Sequence, residues 1–336
     1  MTIGTAESDG MHELHRVVTP FMLADGSLVV PVAGASSVRV FAPDGSFRRS
    51  YGREGAGPGE FREISAAWPR GDTIEVFDSD LQRITRFRPD GETEAVTLRS
   101  KLRELSASTG PYGAGWVAGG VAAGGPGRRD SIVVHRFDRS GRDLGPVATV
   151  AGMRRYEAGK YRGPEPLSPR SVHAVRHDRV YIAETLTPRI RVIGERGEVQ
   201  ALEWRPPPSG PIYQALTVVT DSAAKRADHG EQIAVREQIH AAPVPTQLSD
   251  FWQFLVDARG FVWIKPYDPV KNAFALGGKV GQGGRWTILA PDGGPAGSIE
   301  MPPEIEPTFI GDSTIVGVGR DEFGVEYVQV YALERR

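Results

Sequence analysis

The chain has 336 residues, and its 40 lysines and arginines nearly balance its 42 aspartates and glutamates, giving a formal net charge of −2. This near-neutral total supplies no basic field for nucleic acid, so no nucleic-acid partner is expected. The absence of cysteine excludes disulfides, thiolate metal sites and cysteine nucleophiles. No stretch approaches the ~20 apolar residues that cross a bilayer, so no transmembrane segment is expected.

A unit of two short strands recurs along the chain. The strands are rich in Val, Ile, Phe, Tyr and Trp, and Asp-Gly-type turns bound them. The copies span residues 25–45, 71–91, 131–141, 177–197, 258–294 and 311–334. The closing turns at Gly45, Gly91 and Gly141 have the spacing of propeller blades, roughly 40 to 50 residues. This pattern predicts an all-β fold, a six-bladed β-propeller with four-stranded blades, as a single domain over residues 1–336.

The two ends of the chain are predicted to complete the last blade together. Residues 50–61 link the first repeat to the second, and residues 2–14 look like a degenerate copy of that link. The chain therefore starts inside a blade. Residues 1–4 are expected to supply the outer strand of the last blade, whose other strands come from the C-terminal repeat.

One segment, residues 205–250, interrupts the period before the fifth blade. After a run of prolines, Ile212, Leu216 and Val219 recur at helical spacing, and Asp221 with Lys225 has the spacing of an ion pair on a helix. A second helical pattern follows Gly230. Two interpretations stay open for this helical insertion: a lid over the channel, or a helical hairpin packed on the rim.

A resemblance appears in the second repeat. Residues 51–61, with a Gly-Pro-Gly-Glu-Phe link, are followed by a strand and then by residues 74–87, which contain an Asp and an Arg-Ile pair. This combination resembles an NHL-type repeat, and the whole chain resembles bacterial six-bladed propellers of unassigned function. The resemblance implies the propeller fold and a periplasmic or extracellular location. Residues 1–10 lack the features of a signal peptide, so the alternatives are a cytoplasmic protein or a leader already removed.

The ligand site is expected at one mouth of the channel. Loops that connect blades, and loops between second and third strands, share one face of a propeller, so polar residues near these loops should gather there. The predicted ligand-binding residues are Glu63, Asp78, His173, Glu184, Gln253 and Lys265, with Tyr213 and Trp252 as aromatic walls. They predict a monomeric binding propeller for a small molecule, glycan or peptide. The alternative is an enzyme, a lyase, hydrolase or cyclase, with His173, Glu63 and Glu184 as its catalytic candidates.

No cofactor is predicted, and a divalent metal in the channel, calcium or zinc, is the alternative. His173 and His177 would share a face on a helix, but their context indicates a strand followed by a turn, so their side chains need not converge. His173 is the leading metal-ligand candidate, together with residues of other blades. Asp78 and Asp80 form a short acidic loop that fits either a calcium ion or hydrogen bonds to its own backbone.

Overall fold

Six antiparallel sheets make up the protein, as the repeats predict. The computed structural model describes residues 1–4, 10–100, 105–122, 124, 128–159, 161–206, 211–228, 230–268 and 283–335. The first sheet contains β2 (Phe21–Met22), β3 (Leu28–Val32), β4 (Ser37–Phe41) and β5 (Phe47–Tyr51). The second contains β6 (Ile64–Arg70), β7 (Thr73–Asp78), β8 (Arg83–Phe87) and β9 (Thr93–Thr97). The third contains β10 (Leu105–Tyr112), β11 (Gly115–Ala122), β12 (Arg129–Phe137), β13 (Asp143–Ala158) and β14 (Tyr161–Pro164).

The remaining three sheets follow in chain order. The fourth contains β15 (Ser171–Arg176), β16 (Arg179–Glu184), β17 (Arg189–Gly194) and β18 (Val199–Glu203). The fifth contains β19 (Phe251–Val256), β20 (Val262–Pro266), β21 (Gly284–Leu289) and β22 (Pro295–Met301). The sixth contains β23 (Ile305–Ile310), β24 (Thr314–Arg320), β25 (Glu326–Ala332) and β1 (Thr2–Ile3).

The first strand of each sheet lies next to the first strand of the following sheet, and β23 returns to β2, so the six first strands close a ring. This ring surrounds the central channel. We call the end of the channel that carries the connections between sheets the linker face. The opposite end carries the turns between first and second strands, and we call it the hairpin face.

The N-terminal strand β1 is the outer strand of the sixth sheet, which confirms the sequence prediction. In β1, Thr2 pairs with Gln329 and Ile3 pairs with Val328. The segment after β1 is also attached to the sixth sheet, because the backbone N–H of Val17 donates to the buried carboxylate of Glu326 at 2.6 Å. The two ends of the chain are thus joined by backbone pairing and by a charge-assisted hydrogen bond.

The strands end where the sequence places Asp-Gly turns. Gly45 and Gly91 have φ of 88° and 92°, a left-handed conformation that glycine adopts without steric cost. Inside the strands, alternate apolar residues pack between neighbouring sheets. The interface of the second and third sheets also holds the fully buried Glu75, which accepts hydrogen bonds from the indole N–H groups of Trp68 at 2.8 Å and Trp116 at 2.9 Å.

Two helices, α1 (Ile212–Arg226) and α2 (Gln232–His240), lie between the fourth and fifth sheets. The apolar side of α1 packs on Leu167, Leu248 and Tyr267. The long strand β13 continues beyond its blade and pairs with β14, and Tyr156 on this extension donates from its hydroxyl to the carbonyl of Gln238 in α2 at 3.1 Å. A short 3-10 helix spans Ala33–Ala35. None of the described helices has the length and apolar character that spanning a membrane requires.

Candidate functional site

The channel contains two adjoining cavities. The first, about 180 Å³, lies among the first strands of all six sheets. The second, about 600 Å³, lies toward the hairpin face and is again lined from all six sheets. Both cavities are lined by Trp68, Pro111, Val175, Arg176 and Phe309, so they meet at these residues. The larger cavity is within the usual range of small-molecule sites, roughly 300 to 1,000 Å³.

The walls of the channel are mainly apolar. Apolar atoms supply somewhat more than half of the lining, mainly from alanine, valine, leucine, proline and aromatic residues, and turn residues such as His177, Ser313 and Thr314 add polar groups to the larger cavity. The charged side chains that line the cavities are Arg176 and, at the rim of the hairpin face, Asp312. A mostly apolar cavity with few polar groups is the usual form of a small-molecule site.

Two of the predicted residues meet at the linker face. The side-chain amide of Gln253 and the ammonium of Lys265 both donate to the carboxylate of Glu306, the latter at 2.6 Å. Lys265 is 7% exposed and Glu306 is 19% exposed, so the ion pair is largely withdrawn from water. Because each charge has its partner within the protein, this cluster does not require a ligand to satisfy it.

The predicted aromatic wall Trp252 also has a partner in the protein. The guanidinium of Arg170 lies 3.6 Å from the centre of its indole ring and donates to its carbonyl at 2.8 Å. Burial lowers the pKa of Arg170 to about 10. The ring of Tyr267 lies 6.2 Å from that of Trp252, tilted by 36°, and burial raises the pKa of its phenol. This cluster packs under α1 and leaves a cavity of only about 10 Å³.

Glu63 and Glu184 form ion pairs on different sheets. Glu63 accepts from Arg16 at 2.5 Å, and Glu184 accepts from Arg129 at 3.1 Å. The structure therefore does not bring the two carboxylates together as a catalytic pair. Glu184 and His173 lie on the same face of the fourth sheet. Glu184 pairs across the strands with Ser171, and Ser171 is two positions from His173 on β15, so both side chains point to that face.

Asp78 serves the backbone of its own turn. It is fully buried, and its carboxylate accepts from the N–H groups of Arg62 at 2.7 Å, Glu63 at 3.2 Å and Leu81 at 2.9 Å. These contacts are those of an aspartate that fixes a loop. Of the two alternatives that the sequence left open here, the structure favours the turn.

The two histidines of the fourth sheet lie in different elements. His173 is within β15, and His177 is in the two-residue turn that joins β15 to β16. His177 has φ of 51°, and its Nε2–H donates to the carbonyl of Asp257 at 3.2 Å. In the part of the chain that the structure describes, no three His, Asp or Glu side chains gather as a metal site. His229 and residues 207–210 of the insertion lie outside the described residues.

Tyr213 points away from the fold. It is 77% exposed on α1, whose packed side carries other residues. Tyr213 was predicted as an aromatic wall of the site, in an insertion that could act as a lid over the channel. The helical pattern did not indicate which side of the helix would pack.

Arg176 is the channel residue that sequence reasoning missed. It ends β15, immediately before the turn at His177, and lines both cavities. The sequence analysis considered its neighbour His177, but only the assembled ring shows that the Arg176 side chain reaches Phe309 on β23 of the sixth sheet. The signal that was available is an arginine at the hairpin-face end of a first strand.

Comparison with solved structures supports the fold. A member of the DUF4221 family from Bacteroides vulgatus ATCC 8482 matches with a TM-score of 0.57 and 11% identity, over 100% of this chain and 97% of that chain. A candidate exported protein from Bacteroides fragilis NCTC 9343 matches with a TM-score of 0.54 and 11% identity, over 99% and 95%. The likeness shows a shared β-propeller fold.

More distant matches include a virginiamycin B lyase from Staphylococcus aureus, with a TM-score of 0.40 and 10% identity over 100% of this chain and 89% of that chain. No protein-family model matches the sequence, and no curated protein matches it.

Proposed function

We propose that this protein is a binding propeller that takes a small organic molecule into its central channel through the hairpin face. The observation that carries the proposal is the cavity of about 600 Å³ that adjoins a second one of about 180 Å³, both lined from all six sheets. At the linker face, Lys265 is paired with Glu306, and Arg170 lies against the ring and the carbonyl of Trp252.

The physical basis is the burial of apolar surface. A ligand that enters the channel would cover apolar walls such as Val175, Leu255 and Phe309, and each Å² removed from water contributes about 25 cal/mol. The first strands are fixed in paired sheets, so the site needs little reorganisation on binding. This rigid, mostly apolar cavity favours a compact molecule over the glycan and peptide alternatives, which would need more polar partners.

The proposal is tested by narrowing the cavity. Ala258 lines the larger cavity in a turn of the hairpin face, whereas Ala296 is exposed on β22, the outer strand of the same sheet. A panel of small organic molecules is screened by ligand-observed NMR against the wild type, Ala258→Phe and the control Ala296→Phe. We expect hits on the wild type to be lost in Ala258→Phe and kept in the control. Hits that survive in Ala258→Phe, or a panel without hits, would overturn the proposal.

The enzyme alternative is separated from binding by the same panel. In a binding propeller, each hit is recovered unchanged after prolonged incubation. If a hit is converted, the protein is an enzyme, and His173→Ala then asks whether the histidine predicted as its base is required.

A second part of the proposal concerns the relationship and location of the chain. We place it with NHL-like propellers, since Arg83 of the Arg-Ile pair donates to the carbonyls of Ala56 at 2.8 Å and Gly57 at 3.0 Å in the preceding link. This contact gives the signature a structural reason. A periplasmic or extracellular location follows from the resemblance, and cell fractionation with antibody detection tests it: recovery only in the cytoplasm would contradict it.

A further inference from the structure

The side chain of Arg176 reaches across the channel. It starts from the fourth sheet, and its guanidinium carbon lies 5.1 Å from the ring centre of Phe309 in the sixth sheet. The first strand of the fifth sheet lies between these two in the ring. Arg176 therefore occupies the boundary where the smaller cavity meets the larger one.

The charge of Arg176 has no hydrogen-bonded counter-ion among the described residues. The carboxylates that act on it from a distance are those of Asp257 and Asp312, and burial lowers its pKa despite them. Both acids have other partners: Arg335 donates to Asp257 at 2.8 Å, and Arg259 donates to Asp312 at 3.0 Å. Asp257 is fully buried and also accepts from the indole N–H of Trp263 at 3.0 Å.

A guanidinium in this position is prepared for an anion. It presents several N–H donors in one plane, which matches the two oxygens of a carboxylate. A partly desolvated charge without a partner is costly, so an anion that pairs with it recovers free energy that a neutral molecule does not. In the ligand-free state, water in the cavity of about 600 Å³ has room to hydrate this group.

The surroundings decide which kind of anion fits. Among the described residues that line the two cavities, Arg176 is the only arginine or lysine, and Trp68, Val175 and Phe309 line both cavities with it. His177 and Asp312 add polar groups to the larger cavity. A phosphate group, which carries more charge, calls for several cations or for a helix N-terminus. One arginine with apolar walls suits a single negative charge on an apolar body.

We infer that the channel selects small apolar monocarboxylates, whose carboxylate pairs with the guanidinium of Arg176 while the apolar part covers the channel walls. This inference rests on the proposed function, because it names the ligand class of the same cavity. It adds the requirement for one negative charge.

The test uses matched pairs of probes: benzoate against benzamide, and hexanoate against hexanamide. Affinities are measured by NMR titration with the full chain. We expect each acid to bind the wild type roughly 10- to 100-fold more tightly than its amide, the range of a charge-assisted hydrogen bond. Arg176→Gln should weaken the acids to the level of the amides and leave the amides unchanged. The control Arg285→Gln makes the same charge change at an exposed position on β21 and should change neither.

Two further measurements test the role of the planar guanidinium and the preference for a carboxylate over phosphate. Arg176→Lys retains the charge without the planar fork, and the acids should then bind with intermediate affinity. Inorganic phosphate should bind more weakly than benzoate. If acids and amides bind the wild type equally and both lose binding in Ala258→Phe, the preference for carboxylates is wrong. The proposed channel site would still stand. If acids and amides bind Ala258→Phe as tightly as the wild type, the proposed function itself fails.

Discussion

The two ends of the central channel differ in how their charges are satisfied. At the linker face, Lys265 has Glu306 and Arg170 has the ring and carbonyl of Trp252. At the inner edge of the hairpin-face cavity, Arg176 has a ring contact with Phe309 but no counter-ion within hydrogen-bonding distance among the described residues. The contrast is between Lys265, which has a carboxylate partner, and Arg176, which has none among the described residues. Like Arg176, Arg170 has a ring contact, and its Nε has no hydrogen-bond partner among the described residues. The number of polar residues at a mouth is therefore a poor guide to where a ligand binds.

The largest loss of stability is expected at the Lys265–Glu306 pair of the linker face. Glu306→Gln would leave the ammonium of Lys265 buried without its carboxylate, and we expect the free energy of unfolding to fall by about 3 kcal/mol, as for other broken buried pairs. Urea denaturation measures the loss. Adding Lys265→Met to this variant should restore most of the stability, since the unpaired charge is then removed. A single variant as stable as the wild type would show that the linker-face pair is not structural.

A smaller loss is expected at Asp78. Asp78→Asn replaces one of the carboxylate oxygens that accept backbone N–H groups with an N–H₂ donor, so stability should fall by about 2 kcal/mol. Asp80→Asn, at the exposed neighbour, is the matched control and should be nearly neutral. Thermal unfolding with and without calcium completes the test. A rise in Tm with calcium that Asp78→Asn abolishes would restore the calcium alternative.

Arg176→Gln should change the stability of the protein much less than Glu306→Gln. Because Arg176 has no hydrogen-bonded counter-ion in the described part of the chain, we expect the free energy of unfolding to change by less than about 1 kcal/mol, or to increase. Urea denaturation of Arg176→Gln is compared with that of the control Arg285→Gln. A loss as large as that of Glu306→Gln would mean that Arg176 supports the fold, and the contrast between the two ends would disappear.

The smallest effect is expected at Tyr213. Its side chain is 77% exposed, so Tyr213→Ala should change the unfolding free energy by less than about 0.5 kcal/mol and leave benzoate affinity unchanged. The same NMR titration reports the affinity. A clear loss of binding would return Tyr213 to the role of an aromatic wall and would support closure of α1 over a ligand.

The fold could be predicted because its signals are local and repeated. Strand composition, Asp-Gly turns and their period indicate a propeller without knowledge of any single contact. The match of residues 2–14 to a later link indicated how the ring closes, and the pairing of Thr2 with Gln329 agrees with it.

The site was harder to predict because it depends on partners far apart in the chain. The period placed Gln253 and Lys265 at one mouth, but the residue that satisfies both, Glu306, comes from the next sheet. For the same reason Arg176 was missed: no described carboxylate forms a hydrogen bond with it, and its neighbour Asp257 is paired with Arg335, near the C-terminus. Repeat spacing locates a side chain within a blade, and only the assembled ring shows what faces it.

The central claim is that a ligand occupies the channel on the hairpin side, with its charge at Arg176. The most direct measurement is a crystal soaked with 4-bromobenzoate, in which anomalous scattering locates the bromine. We expect a bromine peak in the channel near Trp68 and Phe309, with the carboxylate within hydrogen-bonding distance of Arg176. A peak among Trp252, Lys265 and Glu306 at the linker face, or a channel without a peak, would contradict it.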